Sequence, residues 1–428
     1  MMLPTLPALL KIAVIFATVI FAIRKNISLA NAFLAGALLL AFFFGLSAAG
    51  TVDAVIDSLT HPKTITLCVI IGLILIFSNS LDQSGQLRRL LASFSGLLKS
   101  PKLNLAVFPA LIGLLPMPGG AVFSAPMVKE MGQQTEIPPA TLSYINYWFR
   151  HIWEYWWPMY PGVLLATLLA DINLARFILL MIPFTLVVTQ LGWLTVDRSL
   201  LKTTKADDSP RKPVLPFIRE ITPILVVILV GIMLGWGLSL RFEGLNTAKE
   251  LGLIVSLLAG NLLVWRSNSL SSRQVAGIMK NPHIFQMVYM IAAILIFKQV
   301  LENSGAVDEI CAELISLRIP LLIICAVLPF IVGVLTGITI AFVGSTFPIL
   351  ITLISANNGG QDMTPYIMLA LACGFAGVLL SPVHLCLLVS NQYFETSLKP
   401  VYKHLWLPCG CLTVCAFGYF FVLYPLVG

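Results

Sequence analysis

Apolar runs of about twenty residues recur along the chain, each closed by a short cluster of polar, basic or glycine residues. A helix needs about 20 residues to cross a ~30 Å hydrocarbon core, so the pattern predicts transmembrane helices and not barrel strands. In the first half the runs fall at about 6–23, 28–50, 64–82 and 173–196. Two stretches depart from the pattern. Residues 103–131 are apolar but interrupted by Pro116-Met117-Pro118-Gly119-Gly120. Each arm has about 13 residues, near 20 Å as helix, which is too short to span. That predicts a re-entrant hairpin, with a single proline-kinked span as the alternative. Residues 138–169 contain N-Y-W-F-R-H-I-W-E-Y-W-W-P-M-Y-P-G, Asn146 to Gly162. Pro158 and Pro161 remove backbone donors and predict a helix broken in mid-membrane.

The second half restates the first. Leu81-Asp-Gln-Ser-Gly85 returns as Leu301-Glu-Asn-Ser-Gly305, and Pro109 and Gly113 return as Pro329 and Gly333, all at one offset. Asp171 matches Glu395 after a small drift. The expected fold is therefore an all-α polytopic membrane protein built from two inverted repeats of about five transmembrane helices. Each repeat carries a hairpin and a broken helix. The first repeat covers 1–196, with its hairpin at about 103–131 and broken helix at about 138–169. A hydrophilic linker at 197–213 follows. The second repeat covers 214–428, with its hairpin at about 318–357 and broken helix at about 363–391.

Composition agrees. Of 428 residues, 58% are hydrophobic and only 11% charged, against about 25% in soluble domains. The net charge of +7 does not point to nucleic acid, because the basic residues lie in short loops, as the positive-inside rule expects. Their distribution predicts ten spans, both termini outside and the basic side cytoplasmic. Lys63, Arg176, Arg241, Lys249 and Arg318 dissent by falling on the acidic side. The eight cysteines lie mostly in apolar runs and read as small buried hydrophobes. No cleavable signal is evident, so the first helix is expected to be retained.

Charge inside an apolar helix is costly and marks a path for ions or substrate. Asn146, Arg150 and Glu154 fall at i, i+4 and i+8, so a continuous helix would place them on one face with His151 beside them. Arg150 is the candidate carboxylate clamp, since its planar fork matches that geometry; a structural ion pair with Glu154 is the alternative. Glu154 and His151 are candidates to carry a coupling proton. The hairpin tips contribute Gly119, Gly120, Thr336, Gly337 and Thr339, where glycines admit a close ligand or close packing. Ser124, Ser345 and Thr346 lie one to two turns beyond the tips. The second broken helix offers Ser381, His384 and Asn391. The surrounding tryptophans read mostly as interfacial anchors. Lys298 and Glu302 form a second i, i+4 pair, near a membrane boundary. His151-x-x-Glu154 is not a zinc-protease helix, no phosphate-binding loop is present, and no nucleophile set appears. No metal or organic cofactor is expected. Na⁺ and H⁺ both stand as coupling ions.

With these pieces in view, the chain resembles the ion transporter superfamily of secondary carriers, which includes gluconate, citrate and dicarboxylate carriers. Gly113–Met127 and Asn146–Gly162 are also similar to a prokaryotic membrane family known as a domain of unknown function. The resemblance implies opposed hairpins, a homodimer through a scaffold domain, and elevator-type movement in a prokaryotic cytoplasmic membrane. The expected function is secondary transport of a small organic anion, a carboxylate, rather than an enzymatic reaction. An intramembrane enzyme and a non-transporting scaffold are the rival readings.

Overall fold

The computed structural model describes residues 6–25, 27–94, 97, 100–117, 119–133, 137–196, 213–241, 248–357 and 362–427. Only residue 213 of the expected linker falls within that set. The described residues contain helices and no strands. The first half runs α1 (Ala8–Arg24), α2 (Leu29–Phe43), α3 (Ala48–Thr60), α4 (Pro62–Gln83), α5 (Gln86–Phe94), α6 (Pro101–Gly113), α7 (Ala121–Gln133), α8 (Pro139–Arg150), α9 (Pro161–Leu169) and α10 (Leu174–Gly192). The second runs α11 (Leu215–Arg241), α12 (Ala248–Ser267), α13 (Ser272–Met279), α14 (Pro282–Asn303), α15 (Ala306–Ser316), α16 (Leu321–Thr336), α17 (Thr339–Asn357), α18 (Thr364–Leu379), α19 (Leu385–Tyr393) and α20 (Leu398–Val427).

The two halves use the same local devices at matching places. α4 and α14 both begin with proline at the first helical position and a capping side chain before it, His61 and Asn281. Both end before a glycine with positive φ, Gly85 and Gly305, each at 70°. Asp171 and Glu395 both adopt φ 52°. Contacts across the halves are reciprocal. α2 packs on α14 and α12 on α4; α9 packs on α17 and α19 on α7.

Gly113 and Gly333 explain their own recurrence. A Cβ on Gly113 would stand 2.0 Å from the carbonyl oxygen of Arg150, and one on Gly333 would stand 2.2 Å from that of Gly374. The hairpin arms α6 and α16 therefore touch α8 and α18 backbone to backbone, a contact only glycine permits. α8 and α18 are buried along almost their whole length. α11 and α20 face outward with apolar side chains, Met233, Trp236 and Val414 being 70%, 68% and 71% exposed. Such faces suit hydrocarbon and not water.

Some expectations need correction. Seven helical stretches among the described residues are long and apolar enough to cross a membrane, and four shorter apolar helices accompany them. The run at 28–50 is not one helix. α2 stops at Phe43, Gly45 takes φ 72°, and Ser47 caps α3 by accepting from Gly50 N–H. The Lys298–Glu302 pair is present, with Nζ 2.9 Å from Oε2. Two dissenting cations are neutralised by acids assigned to the same side: Lys63 pairs with Asp171 at 3.0 Å, and Arg176 pairs with Asp362.

Candidate functional site

α6 ends deep inside the protein, and a helix end leaves four carbonyls without intrahelical donors. The stretch after α8 supplies the donors. Trp153 Nε1 donates to Ala110 O at 2.7 Å, and Arg150 Nη1 to Ile112 O at 3.1 Å. The Tyr160 hydroxyl donates to Gly113 O at 2.6 Å, and Trp157 Nε1 to Leu114 O at 2.8 Å. Arg150 Nη2 then reaches Met117 O, 2.6 Å away, at the hairpin tip. Trp148 and Trp156 also donate inward, to Val188 O and the Thr185 hydroxyl. In this stretch Trp148, Trp153 and Trp157 donate to carbonyls inside the protein and Trp156 to a hydroxyl.

The break itself comes earlier than the prolines. α8 stops at Arg150, residues 151–156 form successive turns, and α9 starts at Pro161. Arg150 and Glu154 therefore do not share a helical face, and no ion pair joins them. Glu154 instead lies 3.7 Å from His151, Oε1 to Nε2, and accepts from the Thr339 hydroxyl at 3.4 Å. His151 Nδ1 stands 2.6 Å from Tyr147 O. A carbonyl only accepts, so Nδ1 carries the hydrogen. His151 Nε2 then faces His384 Nε2 at 3.1 Å.

These groups border a cavity of about 360 Å³ between the two hairpin tips and the two helix breaks. Of the residues singled out from sequence, Arg150, His151, Glu154, Gly119, Gly337, Thr339 and His384 line it. The others pack around it. Asn146 accepts from the Ser124 hydroxyl at 2.6 Å and donates to Ala121 O and Ser390 Oγ at 3.0 Å. Asn391 accepts from Ser143 Oγ at 2.6 Å. These bonds tie α7 and α8 to α19. The hydroxyls of Thr336, Ser345 and Thr346 bond back to Val332 O, Ala341 O and Phe342 O on their own helices. Ser381 is buried against Gly337, where a Cβ would lie 2.8 Å from its hydroxyl oxygen, and Gly120 lies equally tight against the Arg150 guanidinium. Sequence reasoning missed Cys386, Tyr160, His283 and Ser143. A hydroxyl or thiol in an apolar run carries no periodic signal of its own, and Tyr160 was visible only as one aromatic among many.

Comparison with known proteins places this architecture. A family profile described as "Protein of unknown function (DUF401)" matches residues 4–423. The chain belongs to the DUF401 family. No curated protein matches it. Among solved structures, the YdaH transporter of Alcanivorax borkumensis is similar in fold, with a TM-score of 0.63 at 17% identity over 90% of each chain. At that identity the likeness speaks for the fold of this DUF401 protein. With its long apolar helices, it supports a multi-pass helical membrane protein.

Proposed function

We propose that the chain is a secondary active transporter that moves a small organic anion, a carboxylate, across the cytoplasmic membrane by elevator-type movement, driven by H⁺ or Na⁺. The observation that carries the reading is Arg150. Its guanidinium is 2% exposed, borders the central cavity, and has no carboxylate partner. Two of its nitrogens bond to backbone carbonyls, while Nε has no partner at all. A buried charge without a counter-ion costs several kcal/mol. A bound carboxylate would compensate it and give Nε an acceptor. The fold likeness to a protein called a transporter supports the class. Matched helix order, reciprocal packing and the glycine contacts at 113 and 333 support two inverted repeats with re-entrant hairpins. Both termini would lie outside, and the outward apolar faces leave room for a homodimer.

The test is a thermal-shift screen of the purified protein against mono-, di- and tricarboxylates, with and without Na⁺, at pH 6 and 8. A ligand at about a hundred times its Kd adds about 2.7 kcal/mol of stability. We expect at least one carboxylate to raise the melting temperature, and Arg150→Gln, which keeps an amide donor for the hairpin carbonyls, to abolish that shift. An undiminished shift in a folded Arg150→Gln protein would refute the clamp. Absence of gradient-driven uptake of that carboxylate in proteoliposomes would refute transport.

A further inference from the structure

Cys386 lies in the wall of the same cavity, in the first turn of α19, and the transport reading gives it no part. A ligand nitrogen of His151, one of His384 and the Cys386 sulfur lie within 4.8 Å of one another, and all three residues are buried. The two imidazoles meet through Nε2 atoms 3.1 Å apart. Two nitrogens on one tetrahedral Zn²⁺, with bonds of about 2.0–2.1 Å, stand roughly 3.3 Å apart. The histidines thus already have the spacing of two ligands on one ion.

The outer contact of His151 fits as well, while His384 Nδ1 is buried without a partner. A metal-bound histidine usually donates its other N–H to a carboxylate, carbonyl or water, which fixes its tautomer and aims its lone pair. His151 does this through Nδ1 to Tyr147 O at 2.6 Å. Glu154 Oε1 is 3.7 Å from His151 Nε2, so a small side-chain rotation brings a carboxylate to the fourth position. Thiolate, two imidazoles and a carboxylate suit zinc better than the hard cations Na⁺ or Mg²⁺.

We propose that His151, His384 and Cys386, with Glu154 closing the fourth position, form a binding site for Zn²⁺. On binding, the Cys386 thiol gives its proton to water as the zinc–sulfur bond forms. The ion joins the helix break of the first half, which holds His151 and Glu154, to that of the second at His384 and the first turn of α19 at Cys386. Thiolate and carboxylate together balance the Zn²⁺ charge. The site is read with metal alone and does not depend on transport.

The experiment is a Co²⁺ titration of the full chain, free of any affinity tag and stripped with a chelator, with Zn²⁺ then added in competition. We expect one Co²⁺ per chain, intense tetrahedral visible bands, a sulfur-to-cobalt charge-transfer band in the near ultraviolet, and displacement by Zn²⁺. Loss of an outer-shell partner alone costs about 10–100-fold in affinity, so Cys386→Ser should lose the ultraviolet band and weaken binding at least about a hundredfold. Cys409→Ser, a buried cysteine outside the cluster, should change neither. Unaltered Co²⁺ affinity in Cys386→Ser, a spectrum without sulfur contribution, or binding well below one ion per chain would overturn the site. If Cys386→Ser does not fold, His384→Gln is judged by the same loss of affinity and of tetrahedral bands.

Discussion

The two hairpins meet the same difficulty and answer it differently. Each has an arm, α6 or α16, that ends inside the protein with its last carbonyls beyond the reach of intrahelical donors. The second hairpin closes by its own backbone. Gly337 turns left-handed at φ 65°, its N–H returns to Gly333 O at 2.8 Å, and α17 starts two residues later. The first hairpin has a longer break, with residues 114–117, 119 and 120 outside both helices, and its carbonyls are taken by side chains of Arg150, Trp153, Trp157 and Tyr160. The comparison shows why the first half carries the charged, aromatic stretch and the second does not need one. It also separates two features of Arg150, which holds Ile112 O of α6 through Nη1 and Met117 O at the tip through Nη2, while Nε has no hydrogen-bond partner.

The largest expected effect tests what the hairpins share. Gly113→Ala and Gly333→Ala each drive a methyl into a backbone carbonyl that cannot move aside. Both should cost more than about 3 kcal/mol, read as loss of the monodisperse peak in size-exclusion chromatography of detergent extracts. If only one fails, the hairpin arms are not packed alike. The next effect tests where they differ. Tyr160→Phe leaves Gly113 O without its donor, and an unsatisfied buried acceptor costs about 1–3 kcal/mol. Thr336→Val in the second hairpin removes only a bond back to Val332 O on the same helix, and should cost less than about 1 kcal/mol. Equal losses in melting temperature would mean that the side-chain cap does not matter.

The smallest effect lies at the edge of the second half. Burial raises the Asp362 carboxyl, but hydrogen bonds from Thr364 and the Arg176 charge outweigh it and hold it below the usual range. Its contribution is therefore present above the unfolded value, about 4, and is lost as pH falls through the folded one. Melting temperature should decline below about pH 4, and Asp362→Asn should flatten part of that slope. A slope unchanged in the variant would show that other carboxylates set it.

Much of the scaffold was legible before any coordinates. The matched glycines at 85 and 305, and at 113 and 333, mark backbone positions that a side chain would spoil, and such constraints survive in sequence as single letters. The breaks in both hairpins followed from proline and glycine in apolar runs. The end of α8 was not legible. Helical spacing carries on through Glu154, and the first proline comes at Pro158, yet the helix stops at Arg150. From the unwound chain Trp153 and Trp157 donate to distant carbonyls, those of Ala110 and Leu114, a pairing that helical spacing does not encode.

Sequence by itself determined the class of this protein, because hydrophobic length and the bar on unpaired backbone in lipid leave few solutions for such a chain. It also marked which residues were too costly to bury idly. Only the tertiary structure decided who partners whom. His151 is separated from His384 and Cys386 by more than half the chain, and they meet because α8 ends and α19 begins against one cavity. Local propensity cannot encode that meeting, since it arises from the packing of two halves, each incomplete without the other.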